Sequence, residues 1–139
     1  MAGEPFNCSV VTPEKRIIDG PVKYASIPAW DGQLGIVHGR APILVRLGIG
    51  TMRLDFASGG THYYLVQGGF AQMLGDELTI LCTKAVPGDR IVESDADKEY
   101  EKALAVTATT DEAVEAKHDA LQTAREKRRL AKLVGKRGI

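Results

Sequence analysis

The chain changes its pattern once, near Val92, and that change limits the available folds more than any other feature. Up to about Ile91, apolar and polar residues alternate with a period of two, and turn signals recur every eight to twelve residues. From Asp89 to Val134 there is no glycine, alanine becomes frequent, and apolar residues take helical spacing. Short strands followed by helices predict an α+β chain, with an antiparallel sandwich or barrel over residues 1–91 and helices over 92–139. A length of 139 residues suits one domain, or a domain with a small appendage.

Within the first part, Phe6, Cys8 and Val10 alternate, TPEK turns, and Arg16 to Ile18 extend. Asp19-Gly20-Pro21 reads as a second turn. Val22, Tyr24 and Ser26 then alternate with Lys23, Ala25 and Ile27, and Met52, Leu54 and Phe56 with Thr51, Arg53 and Asp55. Gly59-Gly60 and Gly68-Gly69 read as strand ends with hairpin turns or bulges, and Gly75-Asp76 as a turn. The segment WDGQLGIVHGRAP, from Trp30 to Pro42, suits neither helix nor strand. Its three glycines, proline and charged residues leave little to bury, which fits a catalytic loop, a ligand cradle or a loop shaped for another protein.

Two helices are expected after Val92. Ser94 followed by Asp97, and Thr109 followed by Glu112, each place a capping oxygen with an acid three residues on. The first helix spans Asp95 to about Val106, and the second Asp111 to about Val134, with Gly135 as its stop. Ala113, Ala116, Ala120, Ala124, Ala131 and Val134 form a thin apolar stripe, with Leu121, Leu130 and Leu133 alongside. Small residues bury little area, so this helix is expected to dock weakly and to be able to move. Acids precede (Glu93, Asp95, Asp97, Glu99, Glu101), while the bases Arg125, Lys127, Arg128, Arg129, Lys132, Lys136 and Arg137 crowd the end.

No catalytic constellation emerges. His38, His62 and His118 are not spaced as metal ligands, and only His38 lies in a loop. Gly48-Ile49-Gly50 lacks the rest of a dinucleotide fingerprint, and there is no G-x-x-x-x-G-K-[ST]. No metal and no cofactor is expected. Cys8 and Cys82 sit in alternating apolar patterns and read as small buried residues of a reducing compartment. Neither a secretory leader nor a membrane-spanning run is visible. Eighteen bases balance eighteen acids, which argues against bulk nucleic-acid binding. The basic run AREKRRLAKLVGKR fits either a solvated helix end complementing the macrodipole or a dock for an acidic partner.

The order of several short motifs resembles the epsilon subunit of bacterial F-type ATP synthases. They are Asp19-Gly20-Pro21, Asp31-Gly32 with Leu34-Gly35-Ile36, Ala41-Pro42-Ile43-Leu44, Leu47-Gly48-Ile49-Gly50 and Gly68-Gly69-Phe70. The resemblance covers nearly the whole chain and implies an N-terminal β-sandwich with a C-terminal two-helix hairpin. It implies a non-catalytic subunit of the rotating central stalk that binds gamma and rests on the c-subunit ring. The chain would then lie peripherally on the cytoplasmic face of the inner membrane, held there only through partners. Asp31, Gln33, His38 and Arg40 would meet the c ring, which accounts for the Trp30–Pro42 segment without any catalysis.

The same resemblance implies a tail that rises along the stalk and slows ATP hydrolysis. Arg125, Arg128, Arg129 and Lys132 would then meet an acidic segment of the beta subunits of the alpha/beta catalytic head. Three departures stand out. Arg40 replaces the histidine usual before Ala-Pro, and Gln33 replaces an acid often found before Leu-Gly. The family's ATP-binding [IL]-D-x-x-R-A motif is missing around Asp97, and the first helix is roughly half the usual length. ATP binding by the chain is therefore expected to be weak or absent. Two rival readings are a free-standing sandwich with a basic helical arm for nucleic acid, and a small enzyme using His38.

Overall fold

The computed structural model describes residues 4–136. Seven strands, β1 (Phe6–Val11), β2 (Arg16–Ala29), β3 (Gly32–Ile36), β4 (Ile43–Arg46), β5 (Gly50–Phe56), β6 (Thr61–Leu74) and β7 (Glu77–Pro87), build a β-sandwich. A 3-10 turn at Gly88–Arg90 leads into α1 (Glu93–Ala105) and α2 (Asp111–Lys136). The strands run in the order β1-β7-β6-β5-β2-β3, with β4 beside β6. β1 also pairs with β2, so the path closes on itself and the layers are joined at both sides. All pairings are antiparallel except β1 with β7.

The period of two buries one face of each strand. Phe6, Cys8 and Val10 of β1 meet Met52 and Leu54 of β5, Ala71 and Met73 of β6, and Leu78 and Ile80 of β7 in one core. Removing a side chain such as Leu54 from water stabilises the fold by about 1.5–3 kcal/mol before its ordering cost. Both cysteines are free and buried in these rows. Burial, and then the charge of Asp19, pushes the Cys8 thiol up to about 12. Burial also raises the Cys82 thiol.

Three local readings need correction. Asp19-Gly20-Pro21 does not turn: β2 runs unbroken through it, with Asp19 opposite Ser9 and Pro21 opposite Asn7. The irregularity comes just afterwards, as a bulge between Val22 and Tyr24 in the pairing with β5. The bulge inverts the alternation, so Val22 is buried together with Ala25 and Ile27 rather than with Tyr24. Within the supposedly irregular Trp30–Pro42 segment, Gly32–Ile36 forms β3 because it can pair with Ala25–Ala29 of β2.

The third correction concerns Gly68-Gly69, which lies inside β6 rather than at its end. β7 pairs with β6 from Tyr64 to Leu74, but the partner on the other edge of β6 changes there. Thr61–Val66 pair with β5, and Phe70–Met73 with β4. The two glycines have φ of +57° and +111°, which lets the strand turn from one partner to the other. Gly59-Gly60, by contrast, does close the β5–β6 hairpin, with the Phe56 amide donating to the Gly60 carbonyl at 3.0 Å.

Asp19 shows how the β1–β2 pairing is reinforced at the surface. Its carboxylate accepts from Asn7 Nδ2 at 3.2 Å, Ser9 Oγ at 3.3 Å and the Arg16 guanidinium at 2.9 Å. The bonds from Asn7 and Arg16 hold the Asp19 carboxyl below its usual range. A depressed carboxylate stabilises the folded state above its unfolded titration range and loses that contribution as pH falls through its folded one. Asp19→Asn is thus expected to be slightly less stable than the parent at pH 7. Urea unfolding at descending pH should show the gap closing below the ordinary carboxylate range.

At the helical end, α1 begins two residues earlier than expected. Val92 occupies the cap position without a side-chain bond, and the Ala96 amide donates to the Val92 carbonyl at 3.1 Å. Ser94 therefore lies inside the helix. For α2 the cap is Thr110, one residue beyond Thr109: the Ala113 amide donates to its Oγ1 at 3.1 Å. Helix α2 also continues through Gly135 to Lys136 instead of stopping at the glycine. Arg137, at the end of the basic run, lies outside the described residues.

Candidate interaction surfaces

The structure separates the four loop residues into two pairs. Asp31 is exposed at the tip of the β2–β3 hairpin. Gln33 is tied down, with Nε2 donating to Ser26 Oγ at 2.8 Å and to the Thr51 carbonyl at 3.2 Å. His38 and Arg40 lie beyond the other end of β3, after roughly 13 Å of strand. His38 bridges two carboxylates: Nδ1 is 3.3 Å from Glu4 and Nε2 is 3.0 Å from Asp76. Both contacts are ion pairs only when the ring is protonated. The bridge ties the loop after β3 to the start of the chain and to the β6–β7 turn. The Arg40 amide donates to the Val37 carbonyl at 3.3 Å, and its buried Nε has no hydrogen-bond partner among the described residues. No nucleophile approaches His38 in these contacts, and no metal-holding cluster occurs among the described residues.

Sequence reasoning missed a larger feature. On the outer face of β4, β6 and β7, Leu44 is 69%, Phe70 52% and Leu81 52% exposed. Pairing sets Arg46 opposite Phe70 and Phe70 opposite Leu81, with Leu44 one pleat along on the same face. Exposed apolar side chains grouped on one sheet face form the kind of patch that partner surfaces cover. The signal was readable. Phe70-Ala71-Gln72-Met73-Leu74 and Leu78-Thr79-Ile80-Leu81-Cys82 carry apolar residues at both parities, so each strand has an apolar residue on its outer side as well as its core side.

The tail folds against the sandwich as a hairpin. Leu130 and Val134 of α2 pack on Leu65 of β6 in a cluster separate from the main core, with Tyr63, Val86 and Ile91 at its edge. Nearer the hairpin tip, a cleft of about 960 Å³ opens between the layers, lined by Trp30, Ile49, Phe70, Ala103, Val106 and Gln122. The Gln122 amide crosses to the Ile49 carbonyl at 3.3 Å. Docking therefore rests on one small apolar cluster at one end of α2, which agrees with the thin stripe in its sequence.

Of the four basic tail residues, Arg128 and Arg125 turn toward α1. Arg128 lies 2.7 Å from Asp97 and 5.1 Å above the Tyr100 ring, and Arg125 approaches the same ring at 6.0 Å. Arg128 Nε satisfies the distance but not the direction of a hydrogen bond, so its attraction to Asp97 is mainly charge on charge. Arg129 pairs within its own helix with Glu126 at 3.6 Å, and Lys132 is exposed.

Residues 5–88 match the family model for the ATP synthase, Delta/Epsilon chain, beta-sandwich domain. The ATP synthase epsilon chain of Rhodopirellula baltica is 38% identical over 120 residues, covering 86% of this chain and 93% of the relative. That of Granulibacter bethesdensis is 37% identical over 120 residues, covering 84% and 89%. Among solved structures, a chain of the Euglena gracilis mitochondrial ATP synthase (OSCP/F1/c-ring) superposes with a TM-score of 0.81 at 20% identity, covering 91% of this chain and 81% of that one. A chain of the Tetrahymena thermophila mitochondrial ATP synthase central stalk and c-ring gives 0.70 at 16% identity, covering 94% and 99%. Relatives thus match this chain over most of its length, and the chain belongs to the ATP synthase epsilon-chain family.

Proposed function

We propose that the chain is a non-catalytic central-stalk subunit that couples rotation of gamma to the c ring and slows ATP hydrolysis through its helices. The observation that carries this reading is the exposed Leu44, Phe70 and Leu81 face on a sandwich of the epsilon family. Gamma covers that face. Asp31, Gln33, His38 and Arg40 meet the polar loops of the c ring. Residues 1–91 act as the anchor and 92–139 as the regulatory tail, whose Arg125, Arg128, Arg129 and Lys132 reach the alpha/beta head when it rises. The chain binds no cofactor, and neither ATP nor nucleic acid is a partner in this reading.

Among the described residues no helix is long and apolar enough to cross a membrane. In this reading the subunit is held at the cytoplasmic face of the inner membrane by its partners alone. The test is direct. Leu44→Glu with Phe70→Glu is expected to weaken binding to an isolated gamma subunit by about 100-fold or more, because central apolar residues dominate such interfaces. Both side chains are exposed, so the thermal melting curve should change little. Unchanged affinity for gamma would sink the assignment of this face.

A further inference from the structure

We propose that Gln33 is a positioning residue: it pins the tip of the β2–β3 hairpin to β5 and so fixes how Trp30 and Asp31 are presented to a partner. The use made of the tip rests on the reading of Asp31 as a c-ring contact; the pin itself does not.

Strand β2 changes partner just before the tip. Its pairing with β5 runs as far as Ser26 opposite Arg53 and then stops. Pro28, two residues on, has no N–H and cannot donate to that ladder. From there β2 follows the connection between β4 and β5 instead. The Gly48 amide donates to the Pro28 carbonyl at 2.8 Å, and the Trp30 amide to the Arg46 carbonyl at 2.9 Å. Ala29 bridges to Leu47 between them. The backbone ladder that would tie the tip to β5 itself is therefore cut at Pro28.

Gln33 spans that cut. It stands opposite Pro28 in β3, and its Nε2 donates to Ser26 Oγ at 2.8 Å and to the Thr51 carbonyl at 3.2 Å. Both amide hydrogens are used, and one side chain joins β3, β2 and β5. The strands can approach this closely because residue 50 is glycine: a Cβ there would come within 2.8 Å of Pro28 Cβ. The donor is essential. An ionised glutamate of the same length has no hydrogen to give and would set its charge against the Thr51 carbonyl oxygen. The two bonds lie at an exposed site, so together they shift an opening equilibrium by about ten-fold. Beyond them the tip has little to bury: Trp30 is 67% exposed, and Asp31 and Gly32 are exposed. A tip already ordered in the free chain spares a partner the cost of ordering it on binding.

Amide hydrogen exchange in the full chain reads the pin, and binding to an isolated c ring in detergent reads its use. Gln33→Met keeps the length of the side chain and removes both donors. It is expected to speed exchange from Trp30 to Leu34 about ten-fold and to weaken c-ring binding several-fold. Exchange in β7 and the thermal melting curve should change little. Ser26→Ala removes one of the two acceptors and should speed the same amides about three-fold; added to Gln33→Met it should change nothing further. This second variant keeps the test available if Gln33→Met fails to fold. Asp31→Asn is the contrast, expected to weaken c-ring binding while exchange at Gln33 and Leu34 stays as it is. Exchange that stays within two-fold in both Gln33→Met and Ser26→Ala would overturn the pin, whatever the binding does. Faster exchange with binding weakened by Asp31→Asn alone would overturn the positioning role. Faster exchange with c-ring binding altered by neither variant would uphold the pin and remove the c-ring reading of the tip instead.

Discussion

Gly69→Ala is expected to destabilise the sandwich by roughly 3–5 kcal/mol, enough to leave a marginal domain partly unfolded. Two effects add. Gly69 has φ +111°, a conformation that residues with a Cβ rarely adopt. A Cβ there would also overlap the Leu81 carbonyl oxygen and come within 2.8 Å of Cys82 Cα, both backbone atoms of the paired strand β7. A flexible side chain could swing aside, but a paired backbone cannot. Relief would require β6 and β7 to part where β6 passes from β5 to β4, with the core residues Ala71 and Met73 just beyond. Gly20→Ala is the matched control, since a Cβ there meets nothing within 4 Å and φ is not positive. It should change stability by less than about 0.5 kcal/mol. Urea melts of the two variants make the comparison.

The second large effect is local. Leu130 is fully buried, in a cluster with Leu65 and Val134 that is distinct from the main core. Leu130→Ala removes most of what holds α2 to the sheet, and such truncations cost about 2–5 kcal/mol in well-packed sites. If the hairpin comes away while the sandwich stays folded, the loss is capped at the free energy of docking. The expected result is therefore a split response. Amides of α2 lose at least ten-fold in exchange protection, while those of β2, β5 and β7 keep theirs. A uniform loss throughout the chain would mean that helix and sandwich fold as one unit and that the tail is not an independently movable arm.

What could be read in advance divides along physical lines. The two-part architecture was legible because periods of 2 and 3.6 survive in sequence, and the buried rows Phe6-Cys8-Val10 and Met52-Leu54 follow them. Turns at Gly59-Gly60 and Gly75 were legible because the left-handed backbone there favours glycine. Asp19-Gly20-Pro21 was misread because turn-forming composition is only a local preference, and pairing with β1 overrides it. Gly68-Gly69 carries the same composition, yet its purpose is a change of strand partner that depends on β4 and β5, distant in sequence. The bulge after Val22 shows in the sequence only as a change of apolar parity, from Val22 to Ala25 and Ile27, which the aromatic Tyr24 between them masks.

The candidate surfaces were legible in kind more than in position. The basic end of α2 is plain in sequence, but only the hairpin geometry turns Arg128 and Arg125 onto Tyr100. The Leu44, Phe70 and Leu81 face shows in the sequence as apolar residues at both parities of β6 and β7, but which parity faces out depends on how the strands are covered in the fold. Asp31 and Gln33 share a segment with His38 and Arg40, yet β3 lies between the pairs and His38 is spoken for by Glu4 and Asp76.

In the proposed function sandwich and tail have separable tasks: an anchor whose apolar face meets gamma, and an arm packed on the sheet through one small cluster. The most direct test combines the chain with a catalytic head and gamma subunit that lack an epsilon subunit of their own. Binding and ATP hydrolysis are then measured for residues 1–139 and for residues 1–92. The account predicts that both forms bind and that only the full chain slows hydrolysis. Equal hydrolysis with both forms bound would contradict the brake, and failure of both to bind a matched gamma would contradict the account as a whole.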